Sequence, residues 1–133
     1  SWAQCSPAQH IAESDQRTVV IAQIEDLPGL SHAEDIAAVE GIDAIFIGRG
    51  DLSVALNAAP NDPVVYEVCK TIAAATRKHG KALSAFVASE AEVVALAEIG
   101  VTVFMYSSDQ ALFVSAAKLA ADKIRGAVKE SAS

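Results

Sequence analysis

The chain has 133 residues, 52% of them hydrophobic and 20% charged, with a formal net charge of −7; the length suits one domain with its own interior and the composition excludes intrinsic disorder. The acidic balance makes binding to phosphate backbones or anionic lipid repulsive at long range, which excludes nucleic acid as a partner. No stretch approaches the ~20 apolar residues of a membrane span, the opening does not read as a basic-then-apolar leader, and aromatics are only 5%.

The apolar content therefore comes from Ala, Val, Ile and Leu, the mixture that fills parallel strands and the helices packed on them. The opening "SWAQCSPAQH" (1–10) shows neither cap nor period, so residues 1–17 are expected to be an irregular or helical lead-in, like the inside of a longer protein. "TVVIAQI" (18–24) is the first predicted strand. Ser31 with Glu34 forms a capping box for the helix after it, and Gly41 is its stop. "AIFIG" (44–48) is the second strand, followed by a long connection from Asp51 to Asn61, of the kind that is usually functional in a compact domain. Asp62 then caps a helix with Pro63 at its first position, and Gly80 ends it.

"ALSAFVA" (82–88) is the third strand, Ser89 with Glu92 a second capping box, and Gly100 the next stop. "VTVFMY" (101–106) is the fourth strand; Ser107 with Gln110 opens the last helix, which runs out in a polar, frayable tail at 129–133. The strands are nearly continuous in hydrophobicity, as strands covered on both faces are. Four β/α units between residues 18 and 128 with short links predict right-handed crossovers and a parallel sheet.

In parallel α/β architectures ligands bind outside the carboxyl ends of the strands. Those exits read "QIED" (23–26), "GRGD" (48–51), "VASE" (87–90) and "YSSD" (106–109). Glu25 and Asp51 stand at the exits of consecutive strands, which lie about 4.8 Å apart when paired. Two carboxylates there can converge on Mg²⁺ or Mn²⁺, hard ions that leave positions to water or substrate; equally, each acid can simply cap the helix that follows. Gly48 and Gly50 let the backbone turn sharply and approach a ligand, so that amides near Leu52 and Ser53 face an anion.

Other residues carry less. His10, His32 and His79 are scattered and read as solvated surface, His79 at a helix end where an imidazolium complements the dipole. Tyr106 and Ser107 close the last strand, where packing and capping explain them as well as a pocket does. Ser84, Ser89 and Ser108 have no G-x-S-x-G context, and neither GxGxxG nor a Walker loop is present. Cys5 and Cys69 have no CxxC and no nearby His at ligand spacing, so reduced thiols and a cytoplasmic location are expected. Arg49-Gly50-Asp51 matches an adhesion tripeptide, but it directly follows an apolar strand and does not sit at a loop tip.

The run "VVIAQIED…DIAAVEGIDAIFIGRGDLS" resembles the HpcH/HpaI aldolase family of metal-dependent pyruvate aldolases, and the similarity continues through "KHGKAL" to "ALAEIGVTVFMYSSDQALF", covering roughly 18–127. "GRGDLS" stands where many members have Gly-Pro-Ala-Asp-Leu-Ser. The resemblance implies a (β/α)₈ TIM barrel of which this chain holds the second half, strands five to eight. It implies a divalent ion, Mg²⁺ or Mn²⁺, on Glu25 and Asp51, a catalytic positioning role for Gln23, and backbone amides of Gly50 and Asp51 on the substrate carboxylate. The implied reaction is cleavage of a 4-hydroxy-2-oxo acid to pyruvate and an aldehyde through a metal-stabilised enolate.

A full barrel needs about 250 residues, and the His and Arg that the family uses for proton transfer and for clamping the oxo acid would lie outside these four units. The chain is accordingly expected to be a fragment, partnered by a small 2-oxo acid and by either the missing barrel half or a second copy of itself. Two alternatives stand beside this reading. One is an inactive half-barrel that serves only for association; the other is a receiver-like Mg²⁺-binding domain, which fails on a fifth strand and on the Lys expected after the last one.

Overall fold

A computed structural model of the chain describes residues 6–131; Cys5 lies outside them. Eleven elements follow in order: α1 (Pro7–Arg17), β1 (Ile21–Ile24), α2 (Leu27–Ser31), α3 (Ala33–Ala38), β2 (Ala44–Ile47), α4 (Arg49–Ala55), α5 (Pro63–Lys78), β3 (Ala82–Val87), α6 (Glu90–Glu98), β4 (Val103–Tyr106) and α7 (Asp109–Ser131). The four strands form one sheet in the order β1-β2-β3-β4, every neighbouring pair parallel. Because the order never reverses, right-handed crossovers place their helices on one face of the sheet.

The core confirms that placement. Ile24, Ile45, Ile47, Leu83, Ala85 and Val87 point to the helix side and pack with Ala33, Ala37, Cys69, Ile72 and Leu96 in one buried cluster. The register Gln23↔Phe46↔Ser84↔Val103 puts those residues on the other face, with Phe86 and Met105 two positions further along. There Phe86 and Met105 are each 44% exposed and Val103 40%. Among the described residues the sheet is thus covered on one face only, against the expectation of strands covered on both. Exposed apolar side chains also run along α7, Phe113, Leu119 and Ile124 among them.

Helix ends follow local chemistry where the sequence spacing is unambiguous. Asp62 caps α5 by accepting from the Val64 amide at 2.9 Å, and Val65, Cys69, Ile72, Ala73 and Thr76 make its buried stripe. Gly41, Gly80 and Gly100 all have positive φ, and after α5 and α6 the amides of Lys81 and Val101 reach back five residues to Thr76 O and Leu96 O, as Schellman ends do.

Several local expectations are corrected. From Ser6 onward the lead-in takes the helical one of its two expected forms, as α1, but the cap not read from the opening is present: a complete Ser6/Gln9 capping box with Pro7 in the first turn. The Ser31/Glu34 box does not form: Ser31 Oγ donates to Pro28 O, while Glu34 is drawn away to Lys78 on α5 and Asp26 caps α2 instead. The cap expected at Ser107 moves to Ser108, whose Oγ accepts from the Ala111 amide, because Ser107 is itself in a left-handed conformation with φ 58°. The tail is helical through Ser131. The connection from Asp51 to Asn61 is shorter than expected, since α4 begins directly after β2 and runs to Ala55, leaving only residues 56–61 as turn and loop.

Candidate functional site

Strand alternation decides what the sheet offers at its carboxyl edge. Ile24, 1% exposed, points into the helix-side core, so Gln23 and Glu25 on either side of it point to the open face. Their side chains meet there, the Gln23 amide nitrogen Nε2 donating to Glu25 Oε2. The ladder continues one step past the strands through Gly48 N to Ile24 O at 2.9 Å, which lays Gly48 directly against Glu25. A β-carbon on Gly48 would stand 2.5 Å from Glu25 Cβ, a distance real side chains essentially never show, and 3.0 Å from Gln23 Nε2, a tight contact at the end of a flexible side chain. Glycine is therefore required at 48 by the close approach of the Gln23–Glu25 pair.

From Gly48 the chain turns at once into α4. No side chain caps this helix, so its first amides, at Arg49, Gly50 and Asp51, have no acceptor within the helix. The amide of Leu52, expected to face a ligand, is instead spent on Gly48 O at 2.9 Å. Ser53, 3% exposed, donates its hydroxyl to Gly50 O at 2.6 Å. Carbonyl and amide of a trans peptide point in opposite directions, so holding Gly50 O also holds the Asp51 N–H away from the helix. Gly50 differs from Gly48: a β-carbon there meets nothing within 4 Å.

Gln23, Gly48, Gly50 and Asp51 line one cleft of about 350 Å³, together with Phe46, Phe86 and Pro60 and with the charged side chains of Arg49 and Glu92. Glu25 joins it through Gln23. Gln23 and Asp51 thus share the cleft, Asp51 from the first turn of α4, while Glu25 is paired with Gln23 beside it. As a cation site the set is incomplete: among the described residues, no group of three or more His, Cys, Asp or Glu stands ready to hold a metal. Two carboxylates with an amide side chain suit an oxygen-seeking ion that keeps water or substrate in its other positions.

Two residues of this region, Arg49 and Glu92, were read from the sequence only as part of a tripeptide and of a capping box, not as partners of each other. Arg49 pairs with Glu92 at 2.7 Å, their side chains 16% and 23% exposed. The Arg49 fork is thus turned inward, and the tripeptide offers no adhesion loop. Glu92 also accepts from the Ala88 amide at 2.6 Å, and this bond, helped by Arg49, holds its carboxyl below the usual range. On α5, burial pushes the Cys69 thiol up to about 11 against the opposing charge of Arg49. The spacing Ser89-x-x-Glu92 was legible only as a helix start, and Ser89 does accept from the Glu92 amide.

The weaker candidates stay apart from the cleft. His10 and His32 are exposed, as expected. His79 is not simply solvated: its ring is 27% exposed and stands 3.9 Å from Glu34 at the end of α5. Tyr106 is 54% exposed at the end of β4. No helix among the described residues is long and apolar enough to cross a membrane.

A singly ordered parallel α/β sheet with helices on one face and acids at adjacent strand exits is an enzyme-like scaffold. The family model for HpcH/HpaI aldolase/citrate lyase matches residues 3–116, and the chain belongs to that family. Among named relatives, the 5-keto-4-deoxy-D-glucarate aldolase of Klebsiella pneumoniae is 34% identical over 118 residues, which are 87% of this chain and 46% of the relative. The crystal structure of a family protein from Burkholderia cenocepacia J2315 superposes with a TM-score of 0.79 at 26% identity, over 88% of this chain and 46% of that one. The HpcH/HpaI aldolase from Desulfitobacterium hafniense DCB-2 gives 0.77 at 26%, over 91% and 48%. The chain thus spans about half the length of the curated relatives it matches.

Proposed function

We propose that these residues form strands five to eight of a (β/α)₈ barrel whose work is metal-dependent aldol cleavage of a 4-hydroxy-2-oxo acid to pyruvate and an aldehyde. The observation that carries this reading is the close approach at Gly48, which packs Gln23 and Glu25 against the turn that presents Asp51 and two free amides. The name of the Klebsiella relative adds an oxo sugar acid as the substrate class.

Glu25 and Asp51 would hold Mg²⁺ or Mn²⁺, and such an ion supplies Lewis acidity toward the carboxylate and ketone oxygens of a 2-oxo acid. Gln23 fixes the orientation of Glu25 through its amide. The amides of Gly50 and Asp51 donate to the substrate carboxylate, aided by the positive end of α4. Phe46 and Phe86 keep one wall of the cleft apolar, and a drier wall strengthens each polar contact made beside it. The proton-transfer and oxo-acid-clamping groups are supplied from outside these four units, and the buried thiol of Cys69 suits a reducing compartment such as the cytoplasm.

The test is Mn²⁺-dependent decarboxylation of oxaloacetate, or cleavage of a 4-hydroxy-2-oxo acid, by the protein and its Asp51→Ala variant. Activity should fall at least a hundredfold, on the order of one lost electrostatic contact in a transition state; unchanged activity would remove Asp51 from the metal site. A second reading, association without catalysis, is favoured by the uncovered sheet face with Phe86, Val103 and Met105. The missing barrel half or a second copy would cover it, and a chain that stays monomeric at high concentration in size-exclusion chromatography counts against the second copy.

A further inference from the structure

Arg49 stands in the same helical turn as Asp51 and lines the same cleft, yet its side chain crosses to the next strand. Its Nη2 donates to Phe86 O at 3.4 Å, on β3, and to Glu92 Oε1 at 2.7 Å, in the first turn of α6. Glu92 is held in turn by the Ala88 amide through its other oxygen. The Arg49 Nε is buried with no hydrogen-bond partner. A guanidinium desolvated on one side and only partly bonded on the other is a poor stabiliser, because the desolvation cost offsets most of the ion-pair attraction. Stability alone therefore gives little reason for an arginine at this turn.

We propose that Arg49 is a positioning residue: paired with Glu92, it clamps the first turn of α4 to the amino end of α6 and so sets Asp51 and the Gly50 and Asp51 amides for ligand. The inference rests on Asp51 as a metal ligand. It has two parts with different signs. Mechanically, losing Arg49 frees the turn from β3 and α6. Electrostatically, a guanidinium beside a cation site repels the cation, and Glu92 both turns that charge away and neutralises it. Glu92→Gln, which leaves the positive charge unpaired, should therefore damage cation binding more than Arg49→Met does. Removing both charges should restore part of the loss.

The experiment measures two quantities on the full chain and on the Arg49→Met, Glu92→Gln, double and Asp51→Asn variants. Amide hydrogen exchange is followed at residues 52–55, whose amides have acceptors in α4, beginning with Leu52 on Gly48 O, with Ile45 and Leu83 as core references, and Mn²⁺ affinity by electron paramagnetic resonance. In Arg49→Met we expect exchange at 52–55 to quicken roughly tenfold, a single lost contact, with the core amides unchanged. Mn²⁺ affinity should fall roughly tenfold in Arg49→Met, further in Glu92→Gln, and return in the double variant to about the Arg49→Met level. Unchanged exchange at 52–55 overturns the clamp, and so does equal quickening at Ile45 and Leu83, which marks a role in stability only. If the unaltered chain binds no Mn²⁺, or Asp51→Asn binds it equally well, the metal reading fails, while the exchange data still decide the clamp.

Discussion

Replacing Gly48 by Ala tests the geometry on which the site depends. Gly48 has φ −80° and ψ 66°, a backbone that an L residue adopts without strain, so conformational freedom is not what demands glycine there. The steric term is different: the new methyl would lie 2.5 Å from Glu25 Cβ and 3.2 Å from Glu25 Cα, the nearer contact about 1 Å short of van der Waals separation. Relief requires β1 and β2 to part at their exits, and overpacking of this kind costs about 1–3 kcal/mol. Stiffening the unfolded chain returns about 0.4–1 kcal/mol, which leaves a net loss on the order of 1–2 kcal/mol. Gly50→Ala is the control, since nothing lies within 4 Å of its β-carbon; a better helix former there is neutral or stabilises by up to about 1 kcal/mol. Urea unfolding of both variants separates the cases. A Gly48→Ala protein as stable as Gly50→Ala would refute the close packing of Gln23 and Glu25 on the turn. If Gly50→Ala keeps its stability but loses activity, the open space above Gly50 belongs to the substrate.

Cys69 gives a pH signature. Its thiol titrates near 11 when folded and from an ordinary value of 9.0 when unfolded, so its contribution, roughly 2–3 kcal/mol, is present below pH 9 and lost as pH rises through 11. Unfolding curves of Cys69→Ala should be lower in stability throughout but flatter between those pH values; equal slopes would contradict a buried neutral thiol. At the start of α5, Asp62→Ala removes the acceptor of the Val64 amide and should cost about 1 kcal/mol by chemical denaturation. A change near zero would show that Pro63 alone starts the helix.

Most of the scaffold was legible because it depends on neighbours in the chain. Runs of β-branched residues became β1 to β4, Asp62-Pro63 started α5, and Gly80 and Gly100 ended α5 and α6 in positive φ, whereas α3 stops at an extended Val39, two residues before Gly41. The same local logic misread Ser31-x-x-Glu34, since Lys78, 44 residues away, competes for the Glu34 carboxylate. It also missed the cap at Ser6 and the helix at α4, whose Arg-Gly-Asp start carries low intrinsic helix preference.

The sequence by itself determined which residues reach the strand exits: Gln23, Glu25, Gly48 and Asp51 follow from alternation and strand length, and these depend on spacings of a few residues. Only the tertiary structure decided that Gly48 must lack a side chain, that the second sheet face is uncovered, and that Arg49 pairs with Glu92 across 43 positions. Each of those facts is set by the register of β1, β2 and β3, where a contact depends on which strands lie side by side and not on distance along the chain.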